Sequence, residues 1–156
     1  MKFKRFRIVG LASVVLILIS LSACETNRYR RMEDMYQKGR YAGTIQEVDE
    51  FLKIAENGAL ATRAEMLRAE SYMQLGLMAV ERQNWELAIR FFKISNSPES
   101  DTHLAEIYKR LALTADSAGD NDLTVSYLNT ILREIPDSRL IPEVLYRKII
   151  LYQTVY

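Results

Sequence analysis

Tyr72 Met73 Gln74 Leu75 Gly76 Leu77 Met78 Ala79 Val80, a break at Gln83 Asn84, and then Trp85 Glu86 Leu87 Ala88 Ile89 Arg90 Phe91 Phe92 is the stretch that decides the fold. Its first run carries apolar or small residues three and four apart, at Tyr72, Leu75, Gly76, Ala79 and Val80, which is the period of a helix face. The same spacing returns at Tyr108, Leu111, Ala112 and Ala115, followed by a second break at Gly119 Asp120. The runs after the breaks also match, with Trp85, Ala88, Ile89 and Phe92 against Asn121, Thr124, Val125 and Leu128. Superposing the two blocks takes an offset of 36 residues. A period of that length marks stacked helical hairpins, each too small to bury its own apolar face.

The packing logic follows from side-chain size. A ring at the head of helix A fills the space between neighbouring hairpins, Gly76 or Ala112 lets the partner helix approach, and Ala88 does the same from helix B. In these residues the chain resembles the tetratricopeptide repeat, and Pro136 falls at that repeat's proline position. The resemblance implies an all-α fold, a right-handed superhelix of about three stacked antiparallel hairpins plus a C-terminal helix, over residues 32–156. It also implies binding through a concave face, with no catalysis.

An earlier copy runs from Tyr36 to Leu52, with Gly39 and Tyr41 at its turn and Ile45, Val48, Phe51 and Leu52 as the stripe of its helix B. Its helix A is expected to start late, anchored by Met32, Met35 and Tyr36, because Arg28 and Arg31 stand where large apolar residues belong. The offset to the next copy is 44 residues. Asn57 Gly58 reads as a helix stop, and Ala59 to Gln83 as one unusually long helix. After Pro136 Asp137 Ser138, Pro142 fits the first position of a last helix running to about Val155, since its missing N–H is an orphan there in any case. Leu145, Ile149 and Tyr152 share a face of that helix, widened by Tyr146 and Ile150. A closing helix is normally polar outside. This one is not, so its apolar face is expected to meet another protein or to belong to a hairpin left half complete.

The N-terminus tells where such an array is held. Lys2, Lys4, Arg5 and Arg7 precede an apolar run from Ile8 to Leu21, and no acidic residue occurs before Glu25. That run is a signal-peptide core, shorter than the roughly 20 residues of a permanent membrane span. Leu21 Ser22 Ala23 Cys24 then places the chain's single cysteine directly behind it. This resembles the lipobox of bacterial lipoproteins. The resemblance implies a signal peptide over 1–23, diacylglyceryl and palmitoyl-type acylation of Cys24, and a lipidated tether over 24–31. The other reading is an ordinary signal peptide that leaves a free thiol, a liability in an exported protein. In the lipoprotein family an aspartate just after the cysteine favours inner-membrane retention; with Glu25 Thr26 here, the resemblance implies lipid anchoring in the outer membrane, with the periplasmic face expected and the outer surface the alternative.

Cleavage before Cys24 removes four of the 21 basic residues and none of the 20 acidic ones, taking the formal net charge from +1 to −3. A nucleic-acid binder would concentrate basic charge on one face. Here the only local cluster is Arg28, Arg30 and Arg31, either a solvated tether or a touch on anionic lipid. Chemistry is thinly provided for. The one histidine, His103, follows Ser100 Asp101 Thr102 and reads as a capping or surface residue at a helix start. Metal ligation needs several His or Cys donors, and Glu47, Asp49, Glu50 and Glu65 fall on solvent faces. No cofactor or metal is expected.

Binding is then the expected task. The helix A positions not spent on the core would line the partner groove: Met73, Leu77, Val80 and Glu81, then Lys109, Leu113, Asp116 and Ser117. In a slightly shifted register Met73, Leu77 and Leu113 are core residues instead. Pro136 Asp137 Ser138 and Pro142 Glu143 Val144 Leu145 Tyr146 add a narrower likeness to envelope tetratricopeptide proteins. Those include the lipoprotein of the β-barrel assembly machinery and the Tol-system coordinator. The expected role is a scaffold or adaptor in an envelope complex. The alternatives are a β-barrel assembly subunit, an accessory lipoprotein of a pilus, secretion or motility apparatus, and an envelope enzyme.

Overall fold

The computed structural model describes residues 25–55 and 58–155, so the signal segment, Cys24 and Asn57 lie outside the described residues. Every regular element among them is a helix. Residues 25–37 form α1, followed by α2 (Tyr41–Leu52), α3 (Ala59–Glu81), α4 (Trp85–Ser95), α5 (Pro98–Ser117), α6 (Asn121–Glu134) and α7 (Ile141–Val155). The chain divides into two compact units at Ser71/Tyr72, inside α3.

Three turns have the same hydrogen bonds. Gly39, Gln83 and Gly119 all have positive φ, at 71°, 56° and 74°. Their N–H groups donate to the carbonyls of Tyr36, Val80 and Asp116, each at 2.9 Å. The next residues, Arg40, Asn84 and Asp120, donate back to Met35, Ala79 and Ala115 at 2.9–3.0 Å. This pair of bonds satisfies the last carbonyls of one helix through a left-handed residue. The residue that completes it also opens the next helix: Asn84 Oδ1 accepts from the Leu87 N–H and Asp120 Oδ1 from the Leu123 N–H. Each turn therefore ends helix A and starts helix B within three residues, and the pairs α1/α2, α3/α4 and α5/α6 are antiparallel hairpins.

In the first unit Tyr29, Met32, Val48, Phe51, Ala64 and Leu67 form the core. Contrary to the expected late start and free tether, the chain is helical from residue 25 and Tyr29 is buried. The arginines do not prevent it. Arg28 lays its guanidinium over the Phe51 ring at 5.9 Å and Arg31 reaches Glu47 at 2.9 Å, long stems covering apolar surface while the charges stay wet. Arg63 ties α3 to α1, bonding Glu33 at 3.2 Å and stacking over Tyr29 at 4.6 Å. α2 stops at Leu52 rather than near Gly58, with Phe51 O accepting from the Ile54 and Ala55 N–H groups.

In the second unit the core runs from Ala79, Ala88 and Phe92 through Leu104, Ile107, Tyr108 and Ala112 to Leu128, Ile131, Ile135 and Val144. α5 packs on α4 and α6, and α6 on α7. α5 starts at Pro98, a turn earlier than expected, because Ser97 caps it by accepting from the Ser100 N–H at 3.1 Å. His103 consequently lies within the helix. It stacks on Phe92 with ring centroids 5.1 Å apart, neither capping nor free at the surface. Trp85 is half-buried and packs against the core, with Arg110 over its ring at 5.3 Å. α7 opens at Ile141, placing Pro142 second.

Candidate interaction site on the last helices

The groove residues expected from the sequence divide into three groups. Met73, Leu77 and Val80 are half-buried on α3 and pack against the second unit's core. Glu81, at the end of α3, is exposed. On α5, Lys109 turns to α7 and bonds Glu143 at 2.8 Å, while Ser117 bonds the Leu113 carbonyl at 2.8 Å. Only Leu113 and Asp116 come together in a concavity. It has a volume of about 140 Å³ and is lined by Ala112, Leu113 and Asp116 of α5, Thr124 and Leu128 of α6, and Arg147, Ile150, Leu151 and Thr154 of α7.

The floor of this pocket is apolar and its polar groups are mostly engaged. Thr124 Oγ1 donates to Asp120 O at 2.8 Å and Thr154 Oγ1 to Ile150 O at 3.0 Å. Arg147 Nε donates to Glu143 at 3.1 Å. Glu143 thus receives both Lys109 and Arg147, whose hydrogen bonds hold its carboxyl below the ordinary glutamate range. Asp116 lines the pocket from an exposed position. Hydrocarbon walls with one acid and one guanidinium suit an apolar side chain presented beside polar backbone. They do not assemble a nucleophile with a base. Among the described residues no three metal-ligating side chains converge, and no helix is long and apolar enough to cross a membrane.

Sequence reasoning missed the α7 contribution of Arg147 and Thr154. The repeat does not point to them, because adding 36 to Lys109, Leu113 and Asp116 gives Leu145, Ile149 and Tyr152 instead. These three are 47%, 55% and 48% exposed, on the side of α7 turned away from the core. A second concavity, of about 280 Å³, belongs to the first unit, where Tyr29, Glu33, Tyr36 and Gln37 of α1 face Arg63, Met66, Leu67 and Glu70 of α3. There burial, and then the Glu33 carboxylate, push the Tyr29 hydroxyl up from its usual pKa. It was overlooked because α1 was expected to begin after Tyr29.

Set against protein-family models and curated proteins, the chain matches none.

Proposed function

We propose that this chain is a lipid-anchored adaptor of a bacterial cell envelope, in which hairpins stacked as a tetratricopeptide-like right-handed superhelix bind partner proteins without catalysing a reaction. The observation that carries the reading is the turn repeated three times, at Gly39, Gln83 and Gly119, with the same two backbone bonds at offsets of 44 and 36 residues. Repeats of this kind expose continuous binding surfaces. The pocket of α5, α6 and α7 offers a site for an apolar side chain of a bound segment, with Leu113 in its wall and Asp116 at an exposed edge.

Acylation of Cys24 is the proposed anchor. Residue 25 is already helical, so no free spacer separates the anchor from α1, and a lipid on Cys24 holds the first unit at the bilayer. Two or more acyl chains give stable attachment where one gives marginal binding. An adaptor held so close meets membrane-embedded partners first, and the outer membrane's periplasmic face is the proposed location.

A photoreactive residue at position 113 or 116 of the full chain, activated in cells, tests the reading. Adducts with outer-membrane proteins are expected from both positions and none from Ser126, exposed on α6. Recovery of barrel-assembly subunits would name the complex. Adducts with appendage or motor proteins alone would move the protein to that class, and the absence of adducts at 113 and 116 would refute a binding role for the pocket. Cys24→Ser should leave helicity unchanged and release the protein from the membrane fraction.

A further inference from the structure

Along α7 the charged side chains face the protein and an apolar arc faces outward. Of the three charged residues, Glu143 and Arg147 join the ion pair with Lys109, and Lys148 Nζ donates to Asn129 Oδ1 at 2.6 Å. Val144 and Leu151 are buried beside them. The opposite arc holds Leu145, Tyr146, Ile149, Ile150 and Tyr152, each 41–64% exposed, with Gln153 its only polar member between the two tyrosines. Its own side chains are uncharged, and at its edge the Lys148 ammonium lies over the Tyr152 ring, 6.0 Å from the ring centre.

We propose that this arc is a two-fold interface between two copies of the chain, the α7 helices crossing antiparallel at Ile149. The order of side chains argues for a second copy over another partner. About a two-fold axis at Ile149, residue 149 + k of one helix lies opposite 149 − k of the other. Tyr152 therefore meets Tyr146 of the second copy, Gln153 meets Leu145, and Ile149 meets itself. An isologous contact requires such self-complementarity, and an uncharged arc sets no like charges against each other. Antiparallel helices also bring their opposite dipole ends together.

The area is sufficient. Five side chains about half exposed leave roughly 500 Å² per chain, taking about 150–250 Å² for a whole aromatic side chain. Two copies then remove roughly 1,000 Å² from water, about the lower limit of a specific interface. The contact includes Ile150, which also lines the pocket of Leu113 and Asp116, so the two surfaces adjoin, although pairing of two copies does not itself require the adaptor reading.

The test is the mass of the full chain in a mild detergent, by light scattering with the detergent subtracted, with helicity measured beside it. The wild-type chain is expected at twice the single-chain mass. Tyr146→Glu with Tyr152→Glu sets carboxylates opposite each other twice and is expected to raise the dissociation constant at least tenfold, leaving single chains of unchanged helicity. Tyr146→Glu with Tyr152→Lys sets Glu against Lys in both contacts and is expected to restore the two-chain mass. Ile149→Asp should act like the Glu/Glu variant; should it unfold, the contrast between Glu/Glu and Glu/Lys decides alone. A single-chain wild type, or a Glu/Lys variant no better than Glu/Glu, overturns the proposal. So does arc-dependent binding to anionic vesicles with the mass unchanged, which would assign the face to lipid.

Discussion

Gly76 and Phe92 stand so close that a Cβ on the glycine would fall 2.6–2.9 Å from three atoms of the ring. The corresponding pair in the next hairpin is Ala112 with Leu128, and in the first it is Met32 with Val48, each pair sharing one core. As the helix A residue grows, the helix B residue shrinks, as close packing demands. Gly76→Ala would gain about 1 kcal/mol of helix propensity, but crowding a rigid ring costs about 1–3 kcal/mol. A net loss of about 1 kcal/mol is expected in chemical denaturation. In a Phe92→Leu background, which copies the Ala112/Leu128 pair, the same substitution should change sign and stabilise. Additive effects would show that the two residues are not coupled. Ser95 breaks the pattern at the next core position. It occupies the place of Phe51 and Ile131, is 5% exposed, and its hydroxyl has no hydrogen-bond partner among the described residues. Removing an unsatisfied buried hydroxyl relieves its desolvation cost, so Ser95→Ala should raise the unfolding free energy by about 1 kcal/mol.

At the level of elements, the three hairpin turns share one geometry but not one sequence. Gly39 and Gly119 enter the left-handed region freely, whereas Gln83 does so with a side chain. The strain of a non-glycine residue there is about 1–2 kcal/mol, partly offset by the greater freedom glycine has when unfolded. Gln83→Gly is therefore expected to stabilise the α3/α4 hairpin by about 0.5–1 kcal/mol, read as an increase in melting temperature with the helical signal unchanged. The turns and the long α3 were legible in the sequence because a breaker flanked by helical spacing depends on neighbouring residues alone. Of the two helix starts that differ most from expectation, that of α1 depends on a distant residue and that of α5 on a local cap. α1 reaches back to residue 25 because Tyr29 finds Arg63 some thirty residues on, and α5 starts early because a serine before a proline caps it. The groove was legible only in part because its walls, like the start of α1, depend on residues distant in sequence. Its α5 positions follow from the repeat, but Met73, Leu77 and Val80 face core whose bulk comes from other helices.

Across the molecule, salt links join helices distant in sequence, and they make stability depend on pH at both extremes. Lys93 of α4 bonds Glu134 of α6 at 2.8 Å, and Lys109 of α5 bonds Glu143 of α7 at 2.8 Å. Hydrogen bonds from the lysines hold both carboxyls below the ordinary glutamate range, which centres at about 4.3. The folded state thus binds protons less readily than the unfolded one. Their contribution is complete above the unfolded value and is lost as pH falls through the lower folded values. With roughly a third of each carboxylate side chain exposed, each pair adds at most about 1 kcal/mol. At the alkaline end the sign reverses. The bond to Glu134 raises Lys93, and burial raises Tyr29, so their contributions are complete below the unfolded values and lost as pH rises beyond them. Denaturation curves at a series of pH values should give a plateau through neutrality, a fall below about pH 4 and another above about pH 10, taking the unperturbed values as limits. Lys93→Met removes a cation that acts at both ends, and should reduce both falls while lowering the plateau. A variant curve merely displaced downward, parallel to the wild type, would mean that the α4–α6 link is not what couples this protein's stability to protons.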